Sequence, residues 1–183
     1  MNKKNLFASI TACLLIFFIH GCQSGTGEGS GVKASGQRSA AIDYNMDMGG
    51  QPWAMDIEEG TLGNDNYRAA NWTGSNIQLV FMSLKPGEVI DLEVHDDHDQ
   101  FFRIEQGEAR ILMGKTRDDL SYDKRVSDDW SVLVPAGYWH KVENVGTNDL
   151  KLYTIYGPPE HQKGTVHKTY NDAEKAHHHE HGQ

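Results

Sequence analysis

The sequence predicts an all-β, single-domain protein whose strands close into a sandwich or barrel. Three observations carry that expectation. Short runs of β-branched and aromatic residues recur through the middle of the chain, each bounded by Gly, Pro, Asp or Asn. They show neither an internal repeat nor the strand–helix alternation of a parallel sheet. A chain of 183 residues is long enough for one domain with a real core and too short for two comfortable ones.

Taken from the N-terminus, the first element is an address. Lys3 and Lys4 precede an apolar stretch from Leu6 to Ile19, which has the length of an export signal and ends too abruptly for a spanning helix. It closes with Ile19-His20-Gly21-Cys22, which resembles a bacterial lipobox, with His20 an unusual occupant. That resemblance implies a signal peptide over 1–21 and diacylation of Cys22, giving an exported, membrane-anchored envelope lipoprotein. A simple secretory signal with a coincidental Cys is the alternative. Following a lipidated Cys22, Gln23 would suggest the outer membrane if the organism has one. With Cys13 inside the signal and Cys22 lipidated, the mature domain has no thiol for a disulfide, a nucleophile or a zinc-thiolate site. Residues 22–40, rich in Gly and Ser, read as a flexible tether.

The barrel domain is expected over 41–169. Strands are expected near Ile77–Leu84, Val89–His95, Gln100–Glu105, Ala109–Met113, Ser131–Val134, His140–Val145 and Leu150–Tyr156. Lys85-Pro86-Gly87, Gln106-Gly107, Pro135-Ala136-Gly137 and Gly146-Thr147-Asn148-Asp149 supply the turns. A single short helix is expected late, with Asn171 capping Asp172 to His177, followed by a His-rich tail within 170–183. Formal charge is −9, and setting aside Lys3 and Lys4 leaves 15 of the 17 basic residues against 26 acidic ones, a balance of −11. Such a surface repels nucleic acid.

Two segments resemble the paired motifs of the cupin superfamily. The first motif is G-x5-H-x-H-x4-E-x6-G, and here Gly87, Glu93, His95, Gln100 and Gly107 keep every spacing, with Glu93 in place of a His and Gln100 in place of the Glu. The second is G-x5-P-x-G-x2-H-x3-N, matched by Pro135, Gly137, His140 and Asn144, with Asp129 where the first Gly would stand. The resemblance covers about Ile77 to Tyr156 and implies a double-stranded β-helix, or jelly-roll barrel, holding one divalent metal. A narrower resemblance, carried by Asn66-Tyr67-Arg68, Trp72-Thr73-Gly74, Leu152 to His161 and Gly164 to Lys168, is to a group of small bacterial cupins called mannose-6-phosphate isomerase-like. In that group Glu and Gln look ordinary at these two positions. Cupin barrels also commonly dimerise through sheet faces, which makes a homodimer an expectation by resemblance.

The spacing has its own physical logic. Glu93 and His95 lie two apart on one strand and face the same way, as do Gln100, Phe102 and Ile104, and His140, Val142 and Asn144. Two imidazoles, one carboxylate and one amide oxygen would converge inside the barrel as a mixed N and O cation site, suited to Mn, Fe, Ni or Zn. A barrel that has lost its metal is the alternative. His98, in the bend His95-Asp96-Asp97-His98-Asp99, is by default a solvated turn residue; folded inward it would be a further ligand or a general base. His161 and His167 read as exposed loop residues, unless their segment covers the barrel mouth and brings His161 to a small-molecule substrate. Arg68 is either a clamp for an anion or one half of a structural ion pair. The expected function is thus a metal-dependent isomerase, lyase or dioxygenase acting on a small polar, sugar-like or carboxylate molecule; a non-catalytic binding barrel is the alternative.

Overall fold

The structure is a computed structural model that describes residues 41–180. The segments read as a signal peptide (1–21) and a tether (22–40), with Cys22, lie outside the described residues, as does the end of the tail. Ten strands form: β1 (Arg68–Thr73), β2 (Gln78–Leu84), β3 (Val89–Glu93), β4 (Asp99–Gln106), β5 (Glu108–Gly114), β6 (Tyr122–Ser127), β7 (Ser131–Val134), β8 (Trp139–Asn144), β9 (Leu150–Gly157) and β10 (Val166–His167). They pair antiparallel in two sheets, one ordered β10-β1-β2-β9-β4-β7 and the other β3-β8-β5-β6. The predominantly β jelly roll expected from the sequence is the observed architecture.

Alternation along each strand places one set of side chains between the sheets. On β4 these are Gln100, Phe102 and Ile104, and on β8 His140, Val142 and Asn144, all buried. Met82, Leu84, Ile111, Leu150 and Leu152 complete the apolar filling. Burying each such side chain stabilises the fold by about 2 kcal/mol before chain entropy is counted.

The inward set is not uniform along the barrel. Register pairs Glu93 with His140 and Gln100 with Tyr156, while Ile90 pairs with Val142 and Ile104 with Leu152. Polar residues of four strands therefore share one end of the barrel and aliphatic residues fill the middle. At the far end Asn144 donates to the carbonyls of Leu84 and Asn148 and accepts from the amide of Gly146, so its work is to fasten loops.

The turns explain the glycines of the motifs. Gly87, Gly107 and Gly137 all have positive φ, at 82°, 93° and 73°. Asp129, which stands where the second motif begins with Gly, also has positive φ (69°). Aspartate tolerates that region better than most residues, and Asp129 is further held by the guanidinium of Arg103.

Four elements go beyond the expected set. Helix α1 (Ile57–Gly63) is capped by Asp56, whose carboxylate accepts from the amide of Glu59. Strands β1, β6 and β10 are the other three. The late helix, α2 (Tyr170–Glu180), begins earlier than expected. Its cap is Thr169, not Asn171: the Thr169 hydroxyl accepts from the amide of Asp172, and the Asp172 carboxylate accepts from that of Thr169. β3 ends at Glu93, so His95 sits in the following bend rather than on the strand.

Candidate metal centre

Glu93 and His140 face each other across β3 and β8, with Glu93 Oε1 3.2 Å from His140 Nε2. His95 joins them because the turn of the second motif holds its backbone: the amide of Gly137 donates to the His95 carbonyl at 2.8 Å. His95 Nε2 then lies 3.6 Å from the same Glu93 oxygen. One ligand atom from each of the three residues falls within 4.8 Å of the others. Gln100 enters from β4 with its amide oriented by Thr154, whose Oγ1 accepts from Gln100 Nε2 at 3.0 Å. Gln100 Oε1 is thereby left as the atom free to bind.

The donor atoms fit a cation. Glu93 Oε1, His95 Nε2, Gln100 Oε1 and His140 Nε2 are all buried without a hydrogen bond among the described residues. Buried polar atoms are almost always satisfied, and leaving one orphaned costs about 1–3 kcal/mol. Four in one place are what a shared cation would satisfy. His140 Nδ1 faces the carbonyl of Tyr138 at 3.2 Å. If Nδ1 donates there, Nε2 presents a lone pair towards the carboxylate, an arrangement that a cation between them makes favourable. Two atoms bound to one ion at about 2.1 Å lie roughly 3.0–3.4 Å apart, close to the spacings observed.

The electrostatics agree with the geometry. Burial works against ionisation of Glu93, yet His140 and His95 outweigh it and hold its carboxyl far below the usual range. Burial likewise opposes protonation of His95, but Glu93, with Glu160 and Asp97 assisting, raises it above the ordinary imidazole value. The site is a pre-formed anionic carboxylate among imidazoles, ready to exchange a proton for a metal.

A second layer lies against this one. Glu160 Oε2 sits 3.6 Å from His95 Nδ1 and 3.4 Å from His98 Nε2. The His98 ring stacks on that of His95 with centroids 4.5 Å apart, and its Nδ1 meets Asp97 at 2.8 Å. The bend therefore folds inward and His98 is buried, which corrects the default of a solvated turn histidine. His161 is likewise largely enclosed rather than exposed. Gln78 grips its backbone from both sides, accepting from the His161 amide at 2.9 Å and donating to its carbonyl at 2.8 Å. Burial, with the nearby charge of Arg68, pulls His161 down to about 3, so its imidazole is neutral at physiological pH.

Above the site opens a cavity of about 490 Å³, whose walls include Arg68, Glu93, His95, Glu160, His161 and His167. Ala173, Ala176 and His177 of α2 form part of the same wall. The segment after β9 thus borders the barrel mouth, and Glu160, quoted only within the Leu152–His161 resemblance, was given no role in the sequence reading. Its signal is positional only: a carboxylate beside His161, in a loop whose path the chain composition does not fix.

Ten antiparallel strands around a half-buried Glu, two buried His and a buried Gln define a β-barrel of jelly-roll type with a group of residues able to hold a metal. Residues 80–156 match the cupin domain model. The chain is 48% identical over 139 residues to the uncharacterized protein YrkC of Bacillus subtilis, covering 74% of this chain and 75% of that one. It is 42% identical over 117 residues to an uncharacterized protein of Acanthamoeba polyphaga mimivirus, covering 63% and 71%. The crystal structure of BH2720 from Bacillus halodurans shares 45% identity at a TM-score of 0.70, over 71% of this chain and 98% of that chain. This chain belongs to the cupin domain family.

Proposed function

We propose that the chain is a metal-dependent cupin enzyme that acts on a small polar molecule, sugar-like or carboxylate-bearing, at the cell envelope. The observation that carries the reading is the cluster of four orphaned donor atoms, two of which belong to Glu93 and His95 in the wall of an open cavity. A divalent ion held by Glu93, His95, Gln100 and His140 would supply Lewis acidity towards a carbonyl or hydroxyl oxygen. Glu93 contributes the one negative charge among these four, and Glu160 orients His95 from behind. His98 and His161 are the groups positioned to move protons: each presents Nε2 without a hydrogen bond, and His161 borders the cavity. Isomerase, lyase and oxygenase chemistry all suit such a site. The isomerase-like label of the related group is a likeness of fold, and an acidic domain outside the cytoplasm suits phosphosugars poorly. Envelope anchoring through Cys22 rests on the lipobox resemblance.

The alternative function is capture of a ligand without turnover. Metal-loaded and metal-stripped protein, beside Glu93→Ala, would be incubated with small hydroxy acids, oxo acids and sugars while NMR follows each compound and an electrode follows dioxygen. Metal-dependent loss of one compound, abolished in Glu93→Ala, is the expected result. Saturable binding without turnover would replace the enzyme with a binding barrel, and neither binding nor turnover contradicts both.

A further inference from the structure

The cavity holds a cation that the metal centre does not use. Arg68 is set on β1 opposite Met82 on one side and His167 on the other, which fixes its entry into the cavity wall. Its Nε is buried and makes no hydrogen bond, and no carboxylate among the described residues lies within ion-pairing distance of its guanidinium. Its Cζ stands 5.7 Å from the centroid of the Tyr67 ring. The structural ion pair allowed by the sequence is therefore not what the fold builds. A guanidinium carries five donors in a planar fork, and one left partly desolvated without an acceptor is costly. His161 Nε2, on the same wall, is a second buried nitrogen without a hydrogen bond.

We propose that Arg68 and His161 form a subsite for the carboxylate of a small hydroxy- or oxo-monocarboxylic acid, whose hydroxyl or carbonyl oxygen points to the metal centre in the same cavity. The inference rests on that metal centre and names the substrate class for it. Arg68 matches a carboxylate bidentately, and neutral His161 donates or accepts a single hydrogen bond beside it. Charge selects a monoanion. Counted over Glu93, Glu160 and Arg68 alone, the formal charge of the cavity wall is −1, and a divalent ion brings it to +1. A monocarboxylate neutralises that balance, whereas a phosphate dianion reverses it and a neutral sugar leaves Arg68 unpaired. Arg68 and His161 line the same cavity, and the charge of Arg68 lowers His161.

The test uses full-length protein loaded with zinc, with metal content measured first and glycolate as the probe. Glycolate is expected to bind, its neutral isostere glycolamide to bind at least about tenfold more weakly, and Arg68→Gln to lose glycolate affinity by a similar factor with unchanged zinc content. Arg68→Lys should fall between. In wild-type protein the Arg68 Nε–Hε NMR signal should shift on adding glycolate, a readout that needs no variant to fold. Equal affinity for glycolate and glycolamide, or an Arg68 signal that glycolate leaves unmoved, would overturn the subsite. If zinc is not taken up, Mn, Fe and Ni are tried in turn, and the metal reading fails by itself when none is bound. The same Arg68 signal, followed with glycolate on metal-free protein, then decides the subsite separately: a shift keeps it and a fixed signal removes it.

Discussion

Replacing Gln100 by Met should make the metal-free protein more stable and its metal complex weaker. The Gln100 side chain is buried, at 3% exposure, and its Oε1 makes no hydrogen bond. That orphaned oxygen costs about 1–3 kcal/mol, while the bond from Nε2 to Thr154 returns about 1 kcal/mol. Thr154 keeps its own donation to the Phe101 carbonyl at 3.1 Å in the variant. Methionine has similar volume and no polar atom to bury, so the net gain is about 1 kcal/mol, or roughly 3 °C in Tm for a domain of this size. With metal the balance reverses. At a free concentration of about 100 times Kd, wild type gains about 2.7 kcal/mol from the ion, and a variant that binds tenfold more weakly gains only about 1.4 kcal/mol. Thermal unfolding followed by circular dichroism, with chelator and with zinc, reads both quantities. A metal-free variant less stable than wild type by more than about 1 kcal/mol, with an unchanged zinc-induced shift, would refute the reasoning and make Gln100 a structural amide.

Other predictions follow from the same geometry. Zinc affinity, measured by titration calorimetry between pH 5.5 and 8, should climb as pH rises through the raised value of His95, because the ion must displace its proton; a flat profile contradicts the assignment. In the metal-free domain the contribution of Glu93 is present above its ordinary 4.5 and lost as pH falls towards its depressed value. That of His95 is present below its ordinary 6.5 and lost as pH rises through its raised value. Urea unfolding should therefore show these two groups contributing most between about pH 4.5 and 6.5. Gly107→Ala should destabilise by about 2 kcal/mol or more, since its φ is 93° and a Cβ would lie 2.9 Å from the Asp149 carbonyl; Gly87→Ala, with open space around it, should cost only about 1 kcal/mol. Lys151→Met should lose about 2–4 kcal/mol in denaturant melts without changing metal content, because buried Lys151 Nζ serves the carbonyls of Leu62 and Asn64 and the carboxylate of Asp65.

Much of the barrel and its polar end was legible because both depend on local rules. β-branched runs set β2, β4, β5, β7, β8 and β9 near their observed bounds, and spacing of two put Gln100, Phe102 and Ile104 on one buried face. What the sequence hid has physical causes. β1, Arg68-Ala-Ala-Asn-Trp-Thr, holds two alanines and an asparagine that favour no strand, and it forms because β2 and β10 supply its partners. β6, Tyr122-Asp-Lys-Arg-Val-Ser, is an exposed edge strand whose charges conceal any alternation. α1 is one Gly-containing helix of seven residues; its only signal was Asp56 with Glu59 three residues on. The inward turn of His98, the reach of Glu160 to His95 and the unpaired Arg68 are tertiary facts. They arise where loops after β3 and β9 meet β1 at the barrel mouth, and no local pattern encodes that meeting.

The measurement that bears most directly on the account is metal content by plasma mass spectrometry. It would be made on protein truncated after His177, so that the tail adds no ligands, beside a Glu93→Ala/His140→Ala variant whose folding is checked by circular dichroism. The account predicts roughly one divalent ion per wild-type chain after reconstitution and removal of loose metal, and almost none in the folded variant. Equal metal in both proteins, or none in wild type with any of Mn, Fe, Ni or Zn, would contradict it.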